Sequence, residues 1–454
     1  MNTPVFLRNT PSTPVPARYQ GGLVLDLFSQ PSRSTVAENL GRLVDVVGPL
    51  KREGLDFLLF AAAVYVADKK ARRQTAPDRW TRELEMSAPV ADPSRWEEAT
   101  PRFVEALSFL TGDRWRLEWR GEENRLRSAR GRRRGDFDAV CLLSGGLDSL
   151  IGAIDLLEDD RRPRVLLVGH YDSTLTPRVQ KRLADSLAGH YGSDRVSLVQ
   201  VMTRPAARRR KQLYPLPAGR EATTRSRSVM FLGLGLAAAS ACGPEVPLHV
   251  PENGFIALNV PLTSSRRGSC STRTVHPYFF DRMLEALANV GLANPVSNPY
   301  QLSTKGEMLN GCKNHTLLRE LASHSVSCAH PELGRYEQTG YGDCGYCYPC
   351  LIRRAAMHAV GLDEAADYKR DVCNDAELLE SNSARKRDTR AVFAALNGAS
   401  HSSGSSPHVA LLSGPIPDRA AVGSYSDVHM RGLEELRTLF ADKASAGVRH
   451  IAGL

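Results

Sequence analysis

The chain lacks an apolar run long enough to cross a membrane. Its longest uncharged apolar stretch, FLLFAAAVYVA at Phe57–Ala67, is far shorter than the roughly 20 residues that a bilayer requires. We therefore expect a buried helix at that position. The first twenty residues, MNTPVFLRNTPSTPVPARYQ, contain no apolar segment of the kind that marks an export signal. Both absences predict a cytoplasmic protein with no membrane partner.

The sequence also lacks an internal repeat and a disulfide framework. It has nine cysteines, but without an export signal such residues more often bind a metal or pack in the core. Composition is otherwise ordinary, with 42% apolar and 24% charged residues over 454 positions. The net charge of +9 permits an anionic ligand or partner such as ATP, nucleic acid or an acidic protein, and it does not select among them.

The composition shifts along the chain and predicts several units. After residue 137, the apolar runs FDAVCLL, RVLLVGH, RVSLVQVM and EVPLHV alternate with helical patterns. This rhythm predicts an α/β fold, with a parallel sheet and helices on both faces. The predicted units are a flexible leader (1–20), a small N-terminal α+β domain (21–122), a basic linker (123–136), a nucleotide-binding domain (137–327), a cysteine-rich region (328–373) and a helical C-terminal extension (374–454) with a flexible linker (398–407).

A glycine-serine turn, SGGLDS at Ser144–Ser149, lies directly between a predicted strand and a predicted helix. Gly145 and Gly146 permit positive φ and a close approach of backbone N–H groups to a ligand. The helix N-terminus favours an anion at the same place, and Ser144 and Ser149 add hydroxyl donors. Asp148 either helps to hold Mg²⁺ or caps the turn. The alternative is a capped turn with no ligand.

Three better-known motifs are absent at this turn. A hydrolase nucleophile elbow needs glycine where Leu142 stands, so Ser144 is not predicted to be a nucleophile. The Walker A motif needs a lysine that the turn does not have, and the Rossmann glycine pattern also fails.

Four cysteines have the spacing of metal ligands. Cys328, Cys344, Cys347 and Cys350 follow C-x15-C-x2-C-x2-C. Four thiolates suit a closed tetrahedral site, so we expect structural Zn²⁺, with an iron–sulfur cluster as the competing interpretation. His330 could replace Cys328 as a ligand. The remaining cysteines are expected to be small core residues: Cys141, Cys242, Cys270, Cys312 and Cys373.

The two motifs together resemble a known family. SGGLDS is similar to the signature of the PP-loop ATP pyrophosphatases, and CGYCYPCLIRR resembles the cysteine run of QueC-like 7-cyano-7-deazaguanine synthases. The resemblance covers residues 137–360. It implies an adenine nucleotide alpha-hydrolase-like fold whose turn holds the pyrophosphate part of ATP. It also implies ATP, Mg²⁺ and Zn²⁺ as cofactors, and a 7-carboxy-7-deazaguanine substrate whose carboxylate is adenylated.

The resemblance extends to single residues. NPYQLSTKGEML at 298–309 is similar to a family segment that would bring Lys305 and Glu307 near the nucleotide or substrate. HYDS at 170–173 replaces a family tyrosine-glycine-glutamine, and His170 is expected to contact the nucleotide from there.

Cationic side chains are needed to neutralise phosphate charge. Asp148, Lys305 and Arg227 are the candidate catalytic residues, and Arg273 and His276 are the candidate substrate residues.

The chain departs from the synthases in length and in one loop. It has 136 residues before the nucleotide-binding domain and roughly 90 after the cysteine region, and residues 252–280 differ from the family's base-recognition loop. This layout resembles the QueC-like proteins of bacterial antiphage defence, the QatC group, which implies a protein partner from the same operon as amine acceptor.

The alternatives are a tRNA-modifying PP-loop enzyme and a non-catalytic interaction module. No compact RNA-binding motif is present, so a nucleic-acid partner is not favoured.

Overall fold

The computed structural model describes residues 2–27, 32–126, 135–221, 224–263, 273, 275–331, 340–375, 387–401 and 407–454. The strands are β1 (Asn2–Arg8), β2 (Leu23–Asp26), β3 (Val36–Glu38), β4 (Glu83–Val90), β5 (Arg114–Gly121), β6 (Ala139–Leu142), β7 (Val165–Tyr171), β8 (Val196–Pro205), β9 (Leu248–His249) and β10 (Val296–Ser297). The helices up to residue 258 are α1 (Ala17–Gln20), α2 (Gly41–Val47), α3 (Arg52–Lys70), α4 (Pro93–Thr111), α5 (Leu147–Leu157), α6 (Thr176–Tyr191), α7 (Arg227–Cys242) and α8 (Gly254–Leu258). The later helices are α9 (Pro277–Asn289), α10 (Lys305–Asn310), α11 (His315–Ala322), α12 (Tyr348–Ala359), α13 (Arg387–His401), α14 (Val422–Lys443) and α15 (Ala446–Ala452).

The first sheet contains four strands in the order β2-β1-β4-β5, and all of them are parallel. Residues 1–20, predicted as a flexible leader, instead supply β1 between two other strands, with Val5 and Leu7 fully buried. Because parallel strands are joined through α3 and α4, this region is an α/β unit and not the predicted α+β unit.

The second sheet has the order β10-β9-β6-β7-β8-β3. Its strands are parallel except β3, which runs antiparallel to β8 with Val36 opposite Pro205. Successive residues of a strand point to opposite faces. Accordingly, Val140 and Leu142 of β6 pack into one apolar core, whereas Cys141 and Leu143 pack into another. The predicted parallel sheet with helices on both faces is confirmed.

The two sheets share one core through a pair of helices. Every residue of α3 from Gly54 to Asp68 is buried, which confirms the buried helix predicted from Phe57–Ala67. α3 packs against α7, and glycine permits the close approach: a Cβ on Gly233 would lie 2.7 Å from the Cβ of Ala61. The N-terminal unit is therefore packed directly on the helix layer of the second sheet.

A separate core forms at the C-terminal end. There α12, α13, α14 and α15 pack around apolar residues together with Cys344, Cys347 and Cys350. The predicted helical extension is present, and α13 continues through His401 into the segment predicted as a linker at 398–407. Residues 402–406 of that segment lie outside the described residues, as do 127–134 of the predicted basic linker. No helix of the described ranges is long and apolar enough to span a bilayer.

Candidate functional site

The glycine-serine turn is a compact loop between β6 and α5. Gly145 has φ of 93°, a left-handed conformation that favours glycine, and a Cβ there would lie 3.3 Å from Val179. The Ser144 hydroxyl is exposed; it accepts from the Gly146 N–H at 3.2 Å and lies 3.2 Å from the Ser149 hydroxyl. Gly146 is the N-cap of α5 and offers no side chain to the first-turn N–H groups, so this helix end favours an anion.

Asp148 ties the turn to two other segments. One carboxylate oxygen pairs with the ammonium of Lys305, which is 3% exposed. The other accepts hydrogen bonds from the backbone N–H and the side-chain amide of Asn253, at 3.2 and 2.7 Å. Both oxygens of Asp148 therefore have partners. The carboxylate forms an ion pair that fixes Lys305, and it does not act as the predicted cap of the turn. The predicted contact with Mg²⁺ stays a prediction.

Lys305 is oriented by a helix start. Thr304 and Glu307 form a reciprocal capping box at the N-terminus of α10. Glu435 of α14 accepts hydrogen bonds from the Thr304 hydroxyl and, at 3.3 Å, from the Gly306 N–H. Lys305 therefore lies beside the turn, whereas Glu307 pairs with Arg431 of α14 at 2.6 Å. The predicted contact of either residue with a nucleotide or substrate stays a prediction.

Glu252 is a residue of this site that the sequence analysis did not single out. Burial raises the pKa of its carboxyl from 4.5 to about 8; the neighbouring charge of Asp148 adds to the shift, and Lys305 opposes it. The only available signal was its place in PENG, shortly after a predicted strand end. That signal could not reveal the neighbouring carboxylate.

His170 lies at the end of β7 and is fully buried. Its Nε2 is 3.3 Å from the carbonyl oxygen of Thr203, and its ring packs edge-on against Tyr65 and Phe231. Burial, aided by the charge of Arg227, lowers the pKa of His170 to about 3, so the imidazole is neutral at physiological pH.

The backbone of β7 at His170 is joined to the turn through Gln180. The amide of Gln180 donates to the carbonyl oxygens of Ser144, at 3.4 Å, and of His170, at 3.2 Å. Contact between the His170 side chain and a nucleotide stays a prediction.

Arg227 is the first residue of α7 and stands near a second ion pair. Its guanidinium lies 5.5 Å from the ring centroid of Phe231, and its Nε is buried without a hydrogen-bond partner among the described residues. Nearby, Asp172 pairs with Lys69 and accepts from the Tyr65 hydroxyl at 2.7 Å. Burial opposes ionisation of Asp172, but Lys69 outweighs it and lowers the pKa of that carboxyl. The N-terminal unit thus supplies charge beside the carboxyl end of β7.

Arg273 and His276 lie at a helix junction. His276 is the N-cap of α9: its Nδ1 accepts from the Tyr278 N–H at 3.2 Å, and its Nε2 is 2.8 Å from the Ser413 hydroxyl. Burial lowers its pKa to about 3. Arg273 donates to the carbonyl oxygen of Phe109 at 3.0 Å. These contacts are structural; the predicted substrate roles stay predictions, and residues 264–272 and 274 of the predicted recognition segment lie outside the described residues.

The four cysteines converge on one point. The sulfurs of Cys328, Cys344, Cys347 and Cys350 all lie within 4.8 Å of one another. Two of the sulfur–sulfur distances are 3.9 Å. Tetrahedral Zn²⁺ with Zn–S bonds of about 2.3 Å would set the sulfurs about 3.8 Å apart. The cluster therefore fits a metal such as zinc, as predicted.

Backbone N–H groups support the sulfurs. Ala329 donates to the Cys347 sulfur at 3.5 Å, His330 to the Cys328 sulfur at 3.2 Å, and Cys347 to the Cys344 sulfur at 3.4 Å. Such donors favour thiolates. His330 thus contributes through its backbone, and the fourth sulfur comes from Cys328.

The cysteine cluster and the turn are joined by hydrogen bonds. The Ser327 hydroxyl accepts from the N–H of Leu147, the first residue of α5, at 3.4 Å. The Ser327 N–H donates to Asp343 at 3.0 Å, and the same carboxylate oxygen lies 3.6 Å from the Cys350 sulfur. Arg353 contacts the same segment by donating a hydrogen bond to the Ser325 hydroxyl at 2.8 Å.

No family model, curated protein or solved structure matches this chain.

Proposed function

We propose that the protein is a PP-loop ATP-dependent enzyme that adenylates the carboxylate of a 7-carboxy-7-deazaguanine-like substrate, releasing pyrophosphate. The observation that carries the proposal is the glycine-serine turn at the start of α5, where the N-cap residue Gly146 has no side chain, with Ser144 exposed and Ser149 directly behind it. Backbone N–H groups and hydroxyls in this arrangement suit the pyrophosphate part of ATP.

The charges around the turn support phosphate binding. Lys305 is buried beside Asp148, so its ammonium is held at a fixed place next to the turn. A preorganised cation needs no rearrangement as negative charge moves onto the departing pyrophosphate. Mg²⁺ would reach the site on the ATP phosphates and neutralise part of their charge. Arg227 is proposed to act from the neighbouring strand end.

The second step transfers the activated acyl group to an amine. By resemblance to the QueC-like defence proteins, the acceptor is an amine of a partner protein encoded in the same operon, in place of ammonia. The four-cysteine cluster is proposed to bind structural Zn²⁺, because four sulfurs within 4.8 Å of one another can supply all four ligands of a closed tetrahedral site.

The test is pyrophosphate release by the full chain with ATP, Mg²⁺ and 7-carboxy-7-deazaguanine. We expect release that depends on the deazaguanine and falls at least about 100-fold in Ser149→Ala, because the hydroxyl that shapes the turn by donating to the Gly146 carbonyl oxygen at 2.8 Å is lost. Ser240→Ala, which changes a buried helical serine away from the turn, is the matched control. Release stimulated only by tRNA would favour the tRNA-modifying alternative, and no release with either substrate would refute the ATP chemistry.

A further inference from the structure

Glu252 lies at the carboxyl edge of the second sheet, shortly after β9 ends at His249. β9 is the neighbour of β6, with Leu248 opposite Val140, so the chain leaves β9 beside the turn that follows β6. The preceding Pro251 packs so tightly on α5 that a Cβ on Gly152 would overlap its ring. Glu252 is thereby held against the helix that starts at the glycine-serine turn.

Hydrogen bonds fix the backbone on both sides of this glutamate. The Asn298 amide donates to the Glu252 carbonyl oxygen at 2.7 Å, and the Glu252 N–H donates to the Asn298 side-chain oxygen at 3.3 Å. Asn253, the next residue, is bonded to Asp148 through its backbone and its side chain. The position of Glu252 relative to the turn is therefore set by the surrounding structure.

The carboxylate of Glu252 has a distinct electrostatic setting. The charged groups that act on it from neighbouring elements are Asp148 on α5 and Lys305 on α10. Lys305 is already paired with Asp148, and no hydrogen bond or ion pair joins the Glu252 carboxylate to another residue of the described chain. Burial and the Asp148 charge raise its pKa to about 8, the range in which a carboxylate accepts a proton effectively near neutral pH.

We propose that Glu252 is the general base of the amide-forming step, whose carboxylate takes the proton that the attacking amine must lose. The inference rests on the proposed adenylation of a carboxylate. It adds a catalytic residue that neither motif of the sequence contains.

The amide-forming step needs no reactant besides the amine and the acyl adenylate. The nitrogen lone pair of the amine attacks the acyl carbon of the adenylate, and a C–N bond forms. The bond between the acyl carbon and the phosphate oxygen breaks, and its electron pair leaves with AMP. The N–H proton passes to Glu252, which releases it to water before the next turnover.

Other titratable side chains near the turn are less suited to this role. Both oxygens of Asp148 are occupied by Lys305 and Asn253. His170 is fully buried, and one of its ring nitrogens already faces the carbonyl oxygen of Thr203. Among the described residues next to the turn, Glu252 combines proximity, a raised pKa and an unoccupied carboxylate.

The experiment separates the two half-reactions of the full-length protein. Adenylation is measured as substrate-dependent exchange between ATP and labelled pyrophosphate, and amide formation is measured with ammonia, held at a fixed concentration of the free base, as a small stand-in for the partner's amine. In Glu252→Gln we expect exchange within about twofold of wild type and amide formation reduced by about 100-fold or more. At that fixed concentration of free ammonia, wild-type amide formation should rise with pH to a plateau above about 8, and the variant should lack that rise. Hydroxylamine, which is uncharged at neutral pH, should restore much of the variant's acyl transfer.

Glu245→Gln changes an exposed glutamate before β9 and should leave both half-reactions unchanged. Wild-type amide formation in Glu252→Gln, or an equal loss of exchange and amide formation, would overturn the assignment of Glu252 while adenylation stands. Absence of exchange in the wild-type protein would overturn the proposed function and this inference together.

Discussion

The backbone N–H of Val326 donates a hydrogen bond to the carbonyl oxygen of Gly145 across 2.9 Å. Val326 precedes the first cysteine of the cluster by two positions, and Gly145 is the left-handed residue of the glycine-serine turn. The next residue, Ser327, reaches both Leu147 of α5 and Asp343 beside the cysteines. Two motifs far apart in the chain are thus one continuous hydrogen-bonded structure.

Metal removal should loosen the glycine-serine turn. Without a metal, the segment around Val326 and Ser327 loses the anchor provided by Cys328, so we expect faster amide hydrogen exchange in the peptide spanning 143–150. The measurement is exchange mass spectrometry before and after chelation. The peptide containing β1, in the other sheet, is the internal control. Equal protection of the turn in both states would show that the connection carries no mechanical coupling.

The metal content should depend on the four-cysteine cluster alone. The intact protein should contain about one zinc per chain, because four thiolates make one closed tetrahedral site. Cys347→Ser should lose the metal and unfold or aggregate, since structural zinc stabilises comparable small sites by about 10–16 kcal/mol at neutral pH. Elemental analysis and thermal melting provide the measurements.

Cys242→Ser is the matched control for that substitution, because Cys242 lies at the end of α7 outside the cluster. It should retain the metal. A soluble, folded and metal-free Cys347→Ser protein would contradict the structural role.

Asp148 and Lys305 should stabilise the protein only when both charges are present. Lys305→Met leaves the largely buried Asp148 carboxylate without its cation and should lower the free energy of unfolding by about 3–5 kcal/mol. The double variant Asp148→Asn with Lys305→Met removes both charges, and the new amide can still bond to Asn253. It should recover part of the loss in urea unfolding. A double variant that is less stable than Lys305→Met would contradict this account.

His276 should make the protein sensitive to mild acid. Its pKa is about 3 in the folded state and 6.5 in the unfolded chain, because burial disfavours the charged ring. Between these values the unfolded state binds more protons, so stability is lost as the pH falls below about 6.5. His276→Asn can still cap α9 but does not ionise. Its melting temperature should fall less between pH 7 and pH 5 than that of wild type, and parallel curves would argue against this role.

The sequence predicted the elements whose signals are local. Three such signals can each be recognised within one stretch of sequence: the apolar run at Phe57–Ala67, the strand–helix alternation after residue 137 and the cysteine spacing. The structure contains the corresponding helix, sheet and cluster. β1 was missed because Asn2–Arg8 is short and flanked by proline-rich sequence that reads as an extended leader. Its pairing with β2 and β4 depends on tertiary contacts.

The site itself was only partly predictable. The turn and Lys305 follow motifs, but the pairing of Lys305 with Asp148 and the position of Glu252 arise from three separate elements packing together. At His276 the sequence holds a local structural signal in addition to the predicted substrate role. This histidine directly precedes Pro277 at the start of α9, and proline at the first helical position marks the preceding residue as the N-cap.

The pairing of β3 with β8 constrains how the protein can be made and cut. The chain leaves the first sheet after β2, adds β3 to the far edge of the second sheet, and then returns to the first sheet for β4. β3 ends at Glu38 and β8 begins at Val196, so this edge of the second sheet cannot form until β8 has been synthesised. A protease or a gene fusion that acts at a single site between the two units would take β3 away with the wrong half. Removing the N-terminal unit at one site would therefore leave the β8 edge of the second sheet without its partner strand.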